Sequence, residues 1–233
     1  MKRFYEAATV EPAETGWRVK LDGRDVRTQG GRPQIVPTRA LGEALAGEWS
    51  AQGEEIDTNG FPLRDLADYT IDAVQDGREA LIRELTAYVE TDTLCYRAEE
   101  GEPLHDRQLR IWEPLVADAE SRWDVHFERI GGVIHRPQSD QTITRMAAAL
   151  STKGDFTLAA MRMLTSLTAS LIVSLAAIDA DADADKLWAA ANLEEDWQAD
   201  LWGQDAEAEE RRQARFEAFK LAMRFAQLAR EDG

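Results

Sequence analysis

The stretch "GWRVKLDGRDVRTQGGRPQIVPTRALGEALAGEWSAQ", residues 16–52, changes its period partway along, and that change decides the fold. Trp17, Val19 and Leu21 alternate with polar residues, Asp22-Gly23 offers the turn chemistry of a two-residue hairpin, and Val26 resumes the apolar side. Gly30-Gly31 and Pro33 punctuate a further turn, after which "PQIVP" reads as a strand, while upstream "KRFYEAATV" reads as another. From Thr38 the spacing is helical, with a threonine N-cap and Leu41, Ala44, Leu45, Glu48 and Trp49 along one side. The expected fold class is α+β: a small antiparallel β domain over 1–37, its boundary falling between 37 and 60, followed by an all-helical domain over 38–233.

Downstream, "FPLRDLADYTIDAVQDG" (61–77) places Pro62 at a first helical position and Leu63, Leu66, Ala67, Thr70, Ile71 and Val74 in a stripe, with Gly77 as the stop. Leu81, Ile82, Leu85, Tyr88 and Val89 predict the next helix. Residues 104–123 predict another, which Pro114 must either kink or divide. "DVHFERIGGVIHRP" (124–137) is the one later stretch with strand character, and further helices are expected over 145–150, 184–202 and 206–230. "FTLAAMRMLTSLTASLIVSLAAI" (156–178) is apolar nearly all round and predicts one buried central helix. Arg162 and the hydroxyl residues argue against a membrane span, which needs about 20 predominantly apolar residues.

With 233 residues and 44% hydrophobic content the chain can bury a substantial core. The net charge of −17 argues against nucleic acid and anionic membranes, both polyanions, as partners. That leaves a protein or a small ligand. A lone cysteine, Cys95, allows no internal disulfide and fits a reducing compartment; "MKRFYEAATVEP" lacks the apolar run of an export signal, so a cytoplasmic location is expected.

His105, His126 and His135 have no metal-ligand spacing, Cys95 has no base near it in sequence, and the glycine pairs lack the context of a phosphate loop. "DADADADK" (179–186) lacks the glycine and the bidentate glutamate of a calcium loop and reads as a helix start, where carboxylates meet unsatisfied N–H groups. No catalytic residue, metal or cofactor is expected.

"LEEDWQADLWGQDAEAEERR" (193–212) is harder to assign. Residues 179–210 hold twelve acids against one base, Lys186, a net of −11. A helix facing its core with Leu187, Ala190, Trp197 and Leu201 puts Glu194 in the apolar stripe; one facing with Trp188, Ala191, Gln198 and Trp202 puts Glu195 there. A carboxylate beside apolar surface is costly unless partnered. The partner could be an internal arginine or a group on another protein, for which tryptophans among unpaired carboxylates supply anchors and steering. A small-ligand or metal-binding module on 179–210, or an enzyme using Glu194 or Glu195 as a base, are the competing readings.

"KRFY", "LDGRDVRT", "VPTRALGEALAGEW", "TDTLCYR", "WEPLVADAESRW" and "LEEDWQADLWG" resemble, in order and over nearly the whole chain, the blocks of the assembly chaperones for the α subunit of the F-type ATP synthase catalytic head. The resemblance implies a small β domain before a helical one, a protein that holds free α subunit until the β subunit replaces it, and no cofactor. It implies partner-binding roles for Glu194, Glu195, Gln198, Trp202 and Gly203. Trp49, Tyr96 and Trp112, within these blocks, take structural roles. Mitochondrial members carry a targeting extension, so a bacterial cytoplasmic member is expected. Trp49 lies on the same helical side as Leu41 and Leu45, which gives its structural role an independent reason.

Overall fold

The computed structural model describes residues 1–132, 135–203 and 206–230. Ala8–Ala13 (β1) and Gly16–Leu21 (β2) pair antiparallel, with Ala8 opposite Leu21 and Ala13 opposite Gly16. Arg24–Asp25 (β3) returns beside β2, and Ile35–Val36 (β4) pairs with the start of β2, Trp17 opposite Val36. The hairpin closes where expected: Asp22 has φ 47° and Gly23 φ 80°, the two left-handed residues a tight hairpin turn requires. Asp22 also anchors the N-terminal segment, accepting the backbone N–H groups of Glu6 and Ala7 at 3.1 and 2.9 Å, which hold its pKa below the usual carboxylate value. The expected strand over residues 2–10 is shorter than its sequence pattern, for β1 begins only at Ala8 and Lys2 makes a single bridge to Glu55.

Arg39–Ser50 (α1) starts from Thr38, whose hydroxyl oxygen accepts the N–H of Leu41 at 3.1 Å, and it lies on β1 and β2. The approach depends on Gly42, where a Cβ would stand 2.9 Å from Val10 Cγ1. Pro62–Tyr69 (α2) continues through a π turn, Thr70–Val74, into Gln75–Ala87 (α3). Gly77, expected to stop this helix, does interrupt it: at φ −108° and ψ 15° it is non-helical, and the kink there separates two helical stretches.

The remaining strands and α-helices are Tyr96–Arg97 (β5), Pro103–Trp123 (α4), Ile130–Gly131 (β6), Asp140–Ser151 (α5), Asp155–Thr168 (α6), Leu171–Ala177 (α7), Ala184–Ala191 (α8), Leu193–Trp202 (α9) and Ala206–Leu228 (α10). The fold is therefore a small N-terminal antiparallel sheet followed by a mostly helical chain. β6 pairs parallel with β5 and supplies the strand expected after residue 124; Val133 and Ile134 of that stretch lie outside the described residues. α4 runs through Pro114 as one helix, its fully buried Trp112 and Val116 packing on both sides of the missing hydrogen bond. α5 begins at Asp140, earlier than expected, because Ser139 caps it.

Two compact units emerge. One comprises Met1–Arg78, Gly154–Ala160 and the segment from Arg224; the other Glu79–Lys153 and Met161–Met223. In the first, Val19, Leu21, Leu41, Leu45 and Phe61 form the core beneath the sheet, and Phe156 stacks on Phe225 at 6.0 Å. In the second, Leu85, Trp112, Val116, Met146, Val173 and Phe219 are fully or nearly fully buried. Among the described residues no helix is long and apolar enough to cross a membrane.

The single helix expected over 156–178 is two. Ala169 at φ 49° ends α6, and Ser170 caps α7. The break is imposed from elsewhere in the unit: buried Asp92 accepts the Ser170 hydroxyl at 2.7 Å, the Ile172 N–H at 2.9 Å and its own Leu94 N–H at 3.1 Å. A left-handed alanine costs about 1 kcal/mol. Ala169→Gly is accordingly expected to raise stability by about 0.5–1 kcal/mol, read as a higher urea midpoint at constant slope.

Burial pushes the Asp92 pKa up to about 6, its hydrogen bonds offsetting part of the cost. An acid whose folded pKa exceeds its unfolded value contributes stability fully present below the unfolded value and lost as pH rises through the folded one. From pH 7 to pH 5 the wild type should therefore gain about 1 kcal/mol that Asp92→Asn does not, so the penalty of the variant, measured by urea denaturation, grows as pH falls.

Candidate functional site

The acidic segment resolves into two helices. Asn192, with φ −104° and ψ 16°, separates α8 from α9, and its amide satisfies the Trp188 carbonyl at 2.8 Å. The continuous stripe expected over 187–202 is therefore absent. Leu187, Trp188, Ala190 and Leu193 are buried, but beyond Leu193 no residue of α9 is. The two alternative core faces of a single helix give way to a buried α8 and a surface α9, since the break resets the helical phase.

The carboxylates of α9 have different fates. Glu194 is exposed as a residue, yet its carboxylate is partly enclosed, with Oε1 accepting the Gln108 amide at 2.7 Å. Loss of water raises its pKa, and that bond partly offsets the rise. Gln108 is itself fully buried, and its Oε1 accepts the Ala98 N–H at 2.8 Å, so Glu194 is held by an amide locked in place. Asp196 pairs with Arg212. Asp200 pairs with Arg107 at 3.0 Å, and the Arg107 guanidinium lies 5.8 Å from the Trp197 ring centre. Glu195 stands 3.8 Å from Arg215, with its side chain 63% exposed. An exposed pair at that distance is worth little, a few tenths of a kcal/mol at most. Arg215 is also engaged elsewhere, donating to the Leu167 carbonyl at 2.9 Å and lying over Trp188.

Glu195, Gln198 and Trp202 follow at i, i+3 and i+7 and so share one exposed face. At its end Trp202 is 86% exposed and Leu201 61%. Gly203, at φ 89°, terminates the helix in a conformation that favours glycine. The result is a surface helix carrying an acidic flank and an uncovered apolar tip. Among the described residues nothing covers this indole and isobutyl group, which stand side by side.

Of the residues expected to be structural, Trp49 and Trp112 are buried and Tyr96 is half-buried. Trp49 is 7% exposed, edge-on to Tyr5 at 5.5 Å and 4.4 Å from Phe61. Trp112 is fully buried and donates Nε1–H to the Ala190 carbonyl at 2.7 Å. The Tyr96 hydroxyl donates to the Glu90 carbonyl at 2.9 Å and lies 2.8 Å from His135 Nδ1. Cys95 is buried, which pushes its thiol pKa up and away from the reactive thiolate. Four cavities of about 350–500 Å³ open in the first unit, none of them lined by Glu194 or Glu195. Among the described residues no cluster of three or more His, Cys, Asp or Glu side chains could hold a metal ion.

Sequence reasoning missed Gln108, Arg107, Arg212 and Arg215, the residues that sort these carboxylates. Gln108 lies 86 positions from Glu194, and no local pattern announces the pairing. Its only trace in the sequence is an amide among the apolar positions of α4.

The family model described as ATP12 chaperone protein matches residues 2–120. The crystal structure of Atp12 from Paracoccus denitrificans shares a TM-score of 0.94 and 36% identity, with 98% of each chain covered. The Atu1473 protein of Agrobacterium tumefaciens gives 0.92 and 34%, covering 98% of this chain and 86% of that one. Protein atp12, mitochondrial, of Schizosaccharomyces pombe is 26% identical over 221 residues, 90% of this chain and 76% of its relative. With more than half of its length matched by the family model and its whole architecture shared with these structures, the chain belongs to the ATP12 chaperone family.

Proposed function

We propose that this chain is a cytoplasmic assembly chaperone of the F-type ATP synthase that binds the free α subunit, covers its subunit interface and yields it to the β subunit. The observation that carries this reading is the uncovered Leu201–Trp202 tip of α9 beside an acidic flank, in a member of a chaperone family. An unassembled subunit exposes apolar surface meant for its neighbour, and such surface aggregates. Trp202 and Leu201 supply anchors of the kind that dominate interface energetics, while Glu195 and Gln198 on the adjoining turns give polar selectivity. Glu194, held by Gln108, fixes the start of the helix, and Gly203 turns the chain at its end.

Release requires the β subunit to win the same surface, so the contact must be specific yet weaker than the final interface. A small apolar tip flanked by hydrated carboxylates meets that requirement, because desolvation subtracts from the Coulomb gain. The test is light scattering by purified free α subunit, which the chain should suppress near equimolar ratio, with suppression reversed as β subunit is added. A scattering trace unaffected by the chain overturns the reading.

A further inference from the structure

A cavity of about 460 Å³ in the first unit has Tyr5, Leu21 and Trp49 among its walls, the 61% exposed Phe4 beside them, and Arg24, Arg27 and Arg64 around it. Its charge balance runs opposite to that of the molecule, whose net charge is −17. The two acids that also line it are committed within the fold. Asp22 accepts the N–H groups of Glu6 and Ala7, and Asp25 pairs with Arg18 at 2.8 Å and Lys20 at 3.8 Å. Arg24 and Arg27 are not so committed, while Arg64 is loosely paired with Asp68. Arg24 has no carboxylate within ion-pair distance among the described residues, and Arg27 donates only to the neutral Gly31 carbonyl, at 2.8 Å.

Arg64 is the most telling of the three. Its guanidinium is stacked, 5.1 Å from the Trp49 ring centre and 4.9 Å from that of Phe61. Its side chain is 19% exposed, and its Nε is buried with no hydrogen-bond partner. That Nε faces Asp68 at 3.6 Å, an ion pair, and Asp68 also accepts the Gln34 amide at 2.6 Å and the Gln29 N–H at 3.1 Å. A guanidinium held over aromatic rings is pre-oriented, and its two terminal nitrogens, which make no hydrogen bond among the described residues, can meet a carboxylate.

We infer that this cavity is a second binding site, which takes a polypeptide segment bearing a carboxylate next to a large apolar side chain. The apolar group packs against Tyr5, Leu21 and Trp49, and the carboxylate is received by Arg64 with Arg24 and Arg27 adding positive potential. The site is independent of α9 and of the identity of the client, so it stands or falls separately from the α-subunit reading.

The experiment uses the full chain, labelled with ¹⁵N, and two capped probes, acetyl-Glu-Phe-Leu-Glu-amide and its counterpart with glutamine at both glutamate positions. The acidic peptide should shift the amide resonances of residues 21–27 and the Trp49 indole resonance in a saturable manner, with a dissociation constant in the millimolar range or below. The glutamine peptide should bind on the order of tenfold more weakly. Arg64→Gln should remove the preference for the acidic peptide. Because Arg64 also stacks on Trp49, Arg24→Gln provides a variant on an exposed, unpaired residue, expected to weaken the acidic peptide with unchanged melting. Equal affinity for the two peptides, or shifts from neither at these resonances, overturns the inference.

Discussion

Trp49→Arg is expected to cost about 4–5 kcal/mol of stability, a large share of the 5–15 kcal/mol that holds a typical domain together. The indole is almost wholly buried between Tyr5 and Phe61 on the face of α1 that packs beneath the sheet. Removing it forfeits the transfer energy of a large aromatic and leaves a void. The arriving guanidinium would be buried without an acceptor and would sit beside Arg64, whose own guanidinium lies 5.1 Å from the Trp49 ring centre. The Tyr5 hydroxyl, donating to the Trp49 carbonyl at 2.6 Å, would lose its register as α1 shifts. Urea denaturation followed by circular dichroism reads the loss directly. An unchanged midpoint together with lost client capture would move Trp49 from the core to the contact surface.

Glu195→Lys and Trp202→Ala are expected to abolish or severely weaken capture of free α subunit while leaving the melting temperature within a degree or so of the wild type. The folded state has little to lose at either position. Glu195 is largely hydrated and only loosely paired with Arg215, and Trp202 is 86% exposed. The complex has more at stake. An indole seated in a partner pocket is typically worth 2 kcal/mol or more, about 30-fold in affinity. Charge reversal at a desolvated contact costs on the order of 2–5 kcal/mol, and much less on a hydrated rim. Glu194→Lys should also weaken capture, but it breaks the bond to buried Gln108 and so lowers stability too. Suppression of α-subunit aggregation by Glu195→Lys as strong as by the wild type would remove Glu195 from the contact surface. Loss of fold would instead make its pair with Arg215 structural.

The contrast among these acids shows where local pattern and long-range packing divide the work. Alternation in 17–21, the Asp22-Gly23 turn and the threonine before α1 are short-range effects, settled by sterics and hydrogen bonds within a few residues, and the sheet followed by helices was legible from them. The identity of the buried face of α1 was legible for the same reason, because a helix of twelve residues presents one stripe to its core.

What could not be read were the places where one segment overrules another. The apolar run 156–178 carries no breaker strong enough to divide it, and it divides at Ala169 because Asp92, 78 residues from Ser170, satisfies the capping groups of α7 there. Pro114 carries a strong local stop signal and is overridden because burial on either side outweighs a local cost of about 3 kcal/mol. In the acidic segment composition revealed that carboxylates outnumber cations. Which are spent inside the unit and which face water depends on Gln108 and Arg107 from the distant α4 and on Arg212 and Arg215 from the following α10, all brought together by tertiary packing. An ion pair carries no sequence period, so only the assembled unit could assign those partners.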